Sequence, residues 1–470
     1  MIGLRDIVIL GSEDVSSAAC QRQKTKPEFS LRSLKMPTQL HVKRSAALSG
    51  VCRVPGDKSI SHRALMFGAI AQGKSRVAHF LNGSDCLATA GVMRDLGVQI
   101  TTDDSSTLVI EGRGLQGLCE PKNVLDCENS GTTIRLMSGL LSGQKFLSVL
   151  TGSEQIRRRP MGRVIVPLKK MGAQIWAREN DRLAPIALRQ SPGLHGMTHQ
   201  LEVASAQVKS ALLLAGLYAE APTTIVQPGP SRDHSSRLLR AMGAQIKFDG
   251  RSVEIAPQQK PLAPFDMRVP GDASSAAFLM AAALIVPDSQ LLLSGVSVNE
   301  TRTGFLEAVK QMGAAVEVHH RRELLNEPIA DVTIRFEALK AAHFFGEIIV
   351  RMIDELPILA VVATQAHGET VIRDAKELTV KETNRIETTV SELRKMGAKI
   401  EAREDGFVIE GPTPLKGALV SSHGDHRLAM AMAIAGLCAD GETVVDGAEV
   451  TVDSFPGFAP MLRTLGADIA

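Results

Sequence analysis

Six times along this chain an amphipathic stretch runs into Met-Gly or Leu-Gly and then into a short apolar segment. The copies are Leu96-Gly97-Val98, Met171-Gly172-Ala173, Met242-Gly243-Ala244, Met312-Gly313-Ala314, Met396-Gly397-Ala398 and Leu465-Gly466-Ala467. Successive glycines lie 75, 71, 70, 84 and 69 residues apart, a period that marks one supersecondary unit used six times. Each copy predicts the same order of elements. A small-residue-rich apolar helix comes first, over Ala64–Ala71, Leu136–Leu141, Ala211–Leu217, Phe278–Leu284, Ile358–Ala363 and Met430–Leu437. A strand-like run follows, such as Thr223–Val226 or Thr370–Ile372, and then a second helix that ends at the glycine. In the fifth copy Ile386, Val390 and Leu393 recur at i, i+4 and i+7, the stripe of a helix with one buried face. The glycine after it is the C′ residue expected to turn left-handed. Ile246-Lys247-Phe248 and Ser252-Val253-Glu254-Ile255 flank Asp249-Gly250-Arg251, a hairpin signal.

The unit is therefore about βαβαββ, and the fold class expected is α/β (α+β): a two-lobed, inside-out barrel with helices packed inside sheets, three units per domain. Arg53-Val54-Pro55-Gly56-Asp57 recurs as Arg268-Val269-Pro270-Gly271-Asp272, a duplicated element that reads as a pair of hinge strands. It predicts one lobe over residues 54–268 and another made of 41–53 plus 269–470. Residues 1–40 lack the repeat and read as a loosely ordered extension, with Met36 as an alternative start.

Composition narrows the function. Hydrophobic residues make up 44% but aromatics only 3% of 470, so the core is aliphatic and base-stacking platforms are nearly lacking. A net charge of +2 argues against a nucleic-acid or membrane-surface partner. No run approaches the roughly 20 apolar residues of a membrane span. Cysteines at 20, 52, 86, 119, 127 and 438 form no CxxC pair and no Cys-His ligand spacing, which leaves no zinc site or disulfide framework and suits a reducing, cytoplasmic location. No metal or cofactor is expected, and a monomer acting on small molecules is.

Chemistry is sought where the copies differ. Five of the six first helices are preceded by clusters of Gly, Ser, Thr, Asp or Asn, such as Gly56-Asp57-Lys58-Ser59, Asn129-Ser130-Gly131-Thr132 and Gly424-Asp425-His426-Arg427. These are helix caps, and several N-termini aimed at one cleft would bind anions. Lys58 in the first copy is replaced by Ala273 in the fourth, so the lysine is surplus to capping, and Lys58→Met is expected to cost little stability. Arg157-Arg158-Arg159-Pro160, Ser231-Arg232-Asp233-His234 and Lys381-Glu382-Thr383-Asn384-Arg385 open second helices. With Lys58 and Arg427 they supply more cations than one phosphate requires, and Arg suits bidentate binding of phosphate and carboxylate alike. Asp354 and Glu382 are the acidic residues set among them, kept ionised and able to move protons. A cleft enzyme using acid–base chemistry on phosphorylated or carboxylated small molecules is the result.

Pro55-Gly56-Asp57-Lys58-Ser59-Ile60-Ser61-His62-Arg63, Asn129-Ser130-Gly131-Thr132, Arg159-Pro160-Met161, Ser205-Ala206-Gln207-Val208-Lys209-Ser210, Lys381 to Arg385 and Asp425-His426-Arg427 together resemble the 5-enolpyruvylshikimate-3-phosphate synthase family of enolpyruvyl transferases, over about residues 45 to 470. The resemblance implies two closing lobes and transfer of enolpyruvate from phosphoenolpyruvate to the 5-hydroxyl of shikimate 3-phosphate, through a tetrahedral intermediate and with release of phosphate. It implies that Lys58, Ser59 and Arg63 hold shikimate 3-phosphate, with Lys58 also reaching phosphoenolpyruvate. Ser205, Ala206 and Gln207 would form a phosphate-binding turn helped by Arg232 and Lys381. Gly131, Arg159, Gln207, Arg385 and Arg427 would form the phosphoenolpyruvate pocket. Asp354 is implied as base for the hydroxyl and Glu382 as proton donor to the methylene carbon, with Lys58 a third carrier of protons. Gly131 implies sensitivity to glyphosate, a phosphoenolpyruvate-competitive inhibitor of the family.

Two positions depart from the family pattern: Ala206 stands where many relatives have a second serine, and Asp453 stands near a place where some have lysine. Two rivals remain. A UDP-N-acetylglucosamine enolpyruvyl transferase would typically have Asn after the active lysine and a Cys before the Arg-Pro pair, whereas Ser59 follows Lys58 here and no Cys lies between Cys127 and Cys438. A non-catalytic anion-binding protein on the same scaffold would be expected to have lost Asp354 or Glu382.

Overall fold

Each glycine of the repeat closes a helix with a positive φ: 84° at Gly97, 96° at Gly172, 97° at Gly243, 99° at Gly313, 85° at Gly397 and 104° at Gly466. The helices they close are Ser84–Asp95, Gly162–Lys170, His234–Ala241, Gly304–Gln311, Arg385–Lys395 and Phe458–Thr464. In a left-handed conformation glycine avoids the Cβ clash any other residue would meet, so the chain reverses at no steric cost. These helices are amphipathic: in the fifth, Ile386, Val390 and Leu393 are at most 4% exposed. The computed structural model describes residues 37–103 and 107–470. The extension up to residue 36 and the Met36 start lie outside the described residues.

The first helices of the six units are Lys58–Ile70, Gly131–Leu141, Ala206–Gly216, Ala273–Ile285, Leu356–Ala363 and His426–Gly436. Each begins two to six residues before the apolar run that predicts it, because the turn ahead of that run is helical too. Beyond that turn they are buried on every side; Leu356–Ala363 and His426–Gly436 are buried throughout. A helix apolar all round belongs inside a core, and here the sheets lie outside. The helices meet through small residues. Gly131–Leu141 and Ala206–Gly216 approach so closely that a Cβ on Gly139 would stand 2.1 Å from the carbonyl oxygen of Ala211.

Among the described residues, five sheets have four strands with one topology. In the third unit Thr198–Gln200 runs parallel to Thr223–Val226, which pairs antiparallel with Ser252–Ile255, itself the partner of Ile246–Asp249 across the expected Asp-Gly turn. The unit is not strictly local, however. Asp266–Arg268, which leads into the second Pro-Gly segment, pairs parallel with Gln72–Ala78 of the first unit. Ser49–Cys52, which leads into the first, pairs parallel with Gln290–Ser297 of the fourth. The leading strands are exchanged, and the two Pro-Gly segments cross where this happens: Asp57 N donates to Pro270 O at 2.8 Å and Asp272 N to Pro55 O at 2.9 Å.

The sixth sheet has three strands and no hairpin of its own. Gln39–Lys43 lies antiparallel to Glu442–Asp446 and stands in for one missing strand, and Val42 bridges to Ile469. This corrects the extent of the N-terminal extension: Gln39 and Leu40, expected within residues 1–40, are in a sheet, and Leu40 is fully buried. The alternation Leu40/Val42, both 0% exposed, drives the pairing, since one face of this strand covers the helices. Among the described residues no helix is long and apolar enough to cross a membrane.

The helix contact at Gly139 gives a direct test of the inside-out packing. Gly139→Ala would force the two helices apart, at the cost of about 1–3 kcal/mol typical of overpacking, although alanine is the better helix former. Urea unfolding should show a lower midpoint; a midpoint equal to or above that of the parent would show that the helices do not meet there.

Candidate active site

All six first helices send the residues of their N-termini to one cavity of about 300 Å³. Its walls carry Lys58 and Ser59 from the first, Gly131 and Thr132 from the second, Ser205, Ala206 and Gln207 from the third, Asp272 and Ser274 from the fourth, Asp354 from before the fifth, and His426 and Arg427 from the sixth. Five starts have side-chain caps: Asp57 accepts from Ile60 N at 2.9 Å, Ser130 from Thr133 N at 3.1 Å, Ser205 from Val208 N at 3.4 Å, Asp272 from Ser274 N at 2.7 Å and Asp425 from Arg427 N at 2.9 Å. The fifth, starting at Glu355, has none. Convergent helix N-termini place positive dipole ends around one space, which favours anions.

Side chains add full charges. Nine Lys or Arg residues line the cavity against six Asp or Glu, an excess of three positive charges. Asp354 sits among the cations: Arg232 Nη2 lies 2.5 Å from Oδ2, while Lys381 Nζ and Arg385 Nη1 each lie 3.2 Å from Oδ1. Burial by itself would raise its pKa, but Lys381, Arg427, Arg232 and Arg385 outweigh burial and hold the carboxyl well below its usual range. Glu382 is gripped by Arg385 at 2.6 Å and Arg159 at 3.3 Å; burial again opposes ionisation, and Arg385 and Arg159 win. Asp425 binds Arg385 bidentately, with Nε donating to Oδ2 at 2.7 Å and Nη2 to Oδ1 at 3.2 Å. The His426 imidazole is driven down to about 3 by burial and by Lys58, so it stays neutral at physiological pH.

Of the residues singled out from sequence, Lys58, Ser59, Gly131, Arg159, Ser205, Ala206, Gln207, Arg232, Asp354, Lys381, Glu382, Arg385 and Arg427 come together on this one cavity. Arg63 does not line it. Its guanidinium is behind Ser59, donating to Ser59 O at 2.8 Å, Ser210 Oγ at 2.8 Å and Ser235 Oγ at 2.7 Å. Burial lowers its pKa to about 10, which leaves it charged. Arg135 was missed. It is 6% exposed, lines the cavity, and donates to Gln207 Oε1 at 2.9 Å and Pro160 O at 3.1 Å. It lies one turn after Gly131, and a buried arginine within an apolar helix is the sequence signal that could have found it. Asp85 was missed as well: its Oδ2 lies 2.5 Å from Lys58 Nζ.

Asp233, His234 and Glu327 offer three ligand atoms within 4.8 Å of one another. Those atoms already have protein partners: His234 Nδ1 meets Glu327 Oε1 at 2.7 Å, Asn299 donates to both carboxylates, and Arg237 holds Asp233. The carboxylates and His234 Nδ1 thus form an ionic junction, while the buried His234 Nε2 has no hydrogen-bond partner among the described residues.

The same helix-in-sheet fold is found in a solved enolpyruvyl transferase. The solved enolpyruvyl transferase NikO from Streptomyces tendae superposes with a TM-score of 0.76 over 92% of this chain and 98% of its own, at 19% identity, a likeness of fold alone. Sequence is more specific. The EPSP synthase (3-phosphoshikimate 1-carboxyvinyltransferase) family model matches residues 42–462, and the chain belongs to that family. A 3-phosphoshikimate 1-carboxyvinyltransferase of Thermodesulfovibrio yellowstonii is 48% identical over 90% of this chain and 99% of its own length. One from Desulforamulus reducens is 51% identical over 88% and 96%. The EPSP synthase structure from Acinetobacter baumannii superposes with a TM-score of 0.83 at 41% identity, covering 92% of this chain and 99% of that one.

The Lys58–Asp85 contact overturns the expectation that Lys58 is dispensable for stability. Burial would lower the lysine's pKa, but Asp85 holds it above its usual value, and Asp85 is correspondingly held down by Lys58 despite its own burial. With side chains 17% and 16% exposed, loss of the ammonium strands a half-buried carboxylate, at about 1–3 kcal/mol. Lys58→Met should lower the urea midpoint and Lys58→Met/Asp85→Asn should recover it; an unchanged midpoint in the single variant would refute the pairing.

Proposed function

We propose that this chain transfers the enolpyruvyl group of phosphoenolpyruvate to the 5-hydroxyl of shikimate 3-phosphate and releases phosphate, the step of the shikimate pathway leading to chorismate and aromatic amino acids. The observation that carries this is the gathering of the family's motif residues, from all six units, on a single cation-rich cavity. Both substrates carry a carboxylate and a phosphate, so two anionic ligands meet an excess of positive charge spread over helix starts and arginines. Residues 54–268 form one lobe and 39–53 plus 269–470 the other, closing on the pair. The protein works as a cytoplasmic monomer, and the reaction needs no cofactor, since every step is a proton transfer or an addition or elimination at one carbon.

Lys58, Ser59 and the Ser205-Ala206-Gln207 turn, with Arg232 and Lys381, take shikimate 3-phosphate. Arg63 steadies Ser59 from behind the wall, through its bond to the Ser59 carbonyl. Gly131, Arg159, Gln207, Arg385 and Arg427 take phosphoenolpyruvate, with Arg135 beside them. Without ligand, Asp354 and Glu382 are weak bases because the cations compensate them. Substrate anions engage those same cations, which weakens the hold on both carboxylates and raises their basicity. Asp354 then removes the proton of the attacking hydroxyl as its oxygen adds to C2 of phosphoenolpyruvate. Glu382, whose raised basicity lets it take up a proton from solvent as the substrates bind, delivers that proton to the methylene carbon, giving a tetrahedral intermediate. Removal of a proton from the new methyl group and departure of phosphate restore the double bond. Lys58 is held as an ammonium and neutralises charge on the oxygens in between.

The deciding assay follows phosphate release from phosphoenolpyruvate with shikimate 3-phosphate and, separately, with UDP-N-acetylglucosamine. Turnover is expected only with the first; release confined to the second acceptor would reassign the enzyme, and none with either would leave an anion-binding protein. Gly131 supplies a further test. A Cβ there would stand 2.8 Å from Arg135 Nη1 and 3.3 Å from Arg159 Nη1, pressing both guanidinium groups toward the ligand. Gly131→Ala should raise the glyphosate inhibition constant by roughly tenfold, about 1.4 kcal/mol and within the cost of one overpacked methyl group. The KM for the smaller phosphoenolpyruvate should rise less, and equal inhibition constants would exclude the crowding.

A further inference from the structure

One buried guanidinium ties the two Pro-Gly crossings together. Arg302, between the strand Gln290–Ser297 and the helix Gly304–Gln311, has a side chain only 1% exposed. Its Nη1 lies 3.1 Å from Asp57 Oδ2 and its Nη2 lies 3.1 Å from Asp272 Oδ1. These carboxylates are the equivalent caps of the first and fourth core helices, 0% and 6% exposed. Asp272 does more than cap its own helix, since its Oδ2 accepts the backbone N–H of Lys58 at 2.9 Å. One carboxylate thus holds the starts of two helices, and one guanidinium holds both carboxylates.

The connection continues to the other side of the cavity. Arg302 Nη2 donates to Ser274 Oγ at 2.7 Å, and Ser274 Oγ donates to Glu355. Glu355 Oε1 is 3.7 Å from Arg427 Nη1, which donates to the backbone oxygen of Asp354 at 3.2 Å. A polar path therefore runs from the backbone of Lys58 to that of Asp354 through Arg302. An ion pair serving stability alone needs one carboxylate. Two carboxylates from crossing segments, held by the planar fork of one arginine, define a geometry that the single point charge of lysine does not.

We infer that Arg302 is a positioning residue for enolpyruvyl transfer: by clamping Asp57 to Asp272 it sets the separation of Lys58 and Ser59 from Asp354 and Arg427. The inference rests on the transferase reading above. Its test uses Arg302→Lys, which keeps a buried cation, and Asp57→Asn, which keeps a good helix cap but breaks the link to Arg302. Folded fraction is measured by urea unfolding, kcat and KM are measured per folded enzyme, and the radius of gyration is measured by small-angle scattering without substrate. Both variants should stay folded, with a larger radius of gyration. Their kcat should fall by about tenfold or more, as an ångström-scale misplacement of reacting groups produces, with a smaller change in the KM for phosphoenolpyruvate. Wild-type kcat and radius in either folded variant would overturn the clamp. So would an activity loss that tracks the unfolded fraction alone, or unfolding of both variants, either of which makes the role structural. Scattering needs no substrate: a wild type without turnover would sink the transferase reading while the clamp is still decided by the radius.

Discussion

Holding nine cationic side chains around one small cavity is the constraint to which the rest of the site answers. Each loses hydration on burial, and each repels its neighbours. The fold meets this with carboxylates placed between arginines: Asp354 against Arg232, Lys381 and Arg385, Glu382 between Arg159 and Arg385, and Asp425 in a two-point grip on Arg385. Of the groups that line the cavity itself, cations outnumber carboxylates by three, and carboxylates behind the wall, Asp57, Glu355 and Asp425, pair with Arg302, Arg427 and Arg385. The carboxylates placed between arginines have two occupations. In the empty cleft they are counter-ions to the cations, and in the reaction proposed above bound anions release two of them, Asp354 and Glu382, to act as base and acid.

Pseudo-symmetry is what makes this arrangement possible with ordinary parts. A helix start is needed to begin any helix, and its unpaired N–H groups must be satisfied in any case. Repeating one unit six times brings six such starts to a common centre, so anion binding grows out of capping. Specificity then resides in the side chains that break the repeat. Lys58 has no counterpart in the fourth copy, where Ala273 stands, and only the fifth start, before Leu356, trades a capping side chain for the cation-bound Asp354.

Much of this could be read from residues alone, because its causes are local. A glycine ending an apolar stripe needs a positive φ wherever it occurs, so Gly97 to Gly466 announced six helix ends and with them the unit. The cleft residues were legible for the same reason: caps and basic clusters lie next to one another in sequence at helix starts. What stayed hidden depends on pairing between distant segments. Nothing near Ser49–Cys52 says that it joins the fourth sheet rather than the first, and nothing near Lys58 points to Asp85. Arg135 was obscured by its setting inside an apolar helix, away from any basic cluster. Arg63 carries a family motif but its guanidinium turns behind Ser59, a matter of rotamer and of the serines at 210 and 235 that no spacing rule encodes.

The exchanged strands bear on how the molecule comes into being on the ribosome. The first sheet lacks its outer strand until Asp266–Arg268 has been made, and the fourth needs Ser49–Cys52, which left the exit tunnel long before. The sixth is the extreme case. Gln39 must wait for Asp446, 407 residues later, before its strand has a partner. The first half can complete its sheets once Arg268 has been made, but Gln39–Lys43 and Ser49–Cys52 expose unpaired strand edges until their partners in the second half are synthesised. Such edges are the surfaces that aggregate. Synthesis of this protein thus calls for protection of its N-terminal strands throughout elongation, a demand set by topology and unrelated to the chemistry of the cleft.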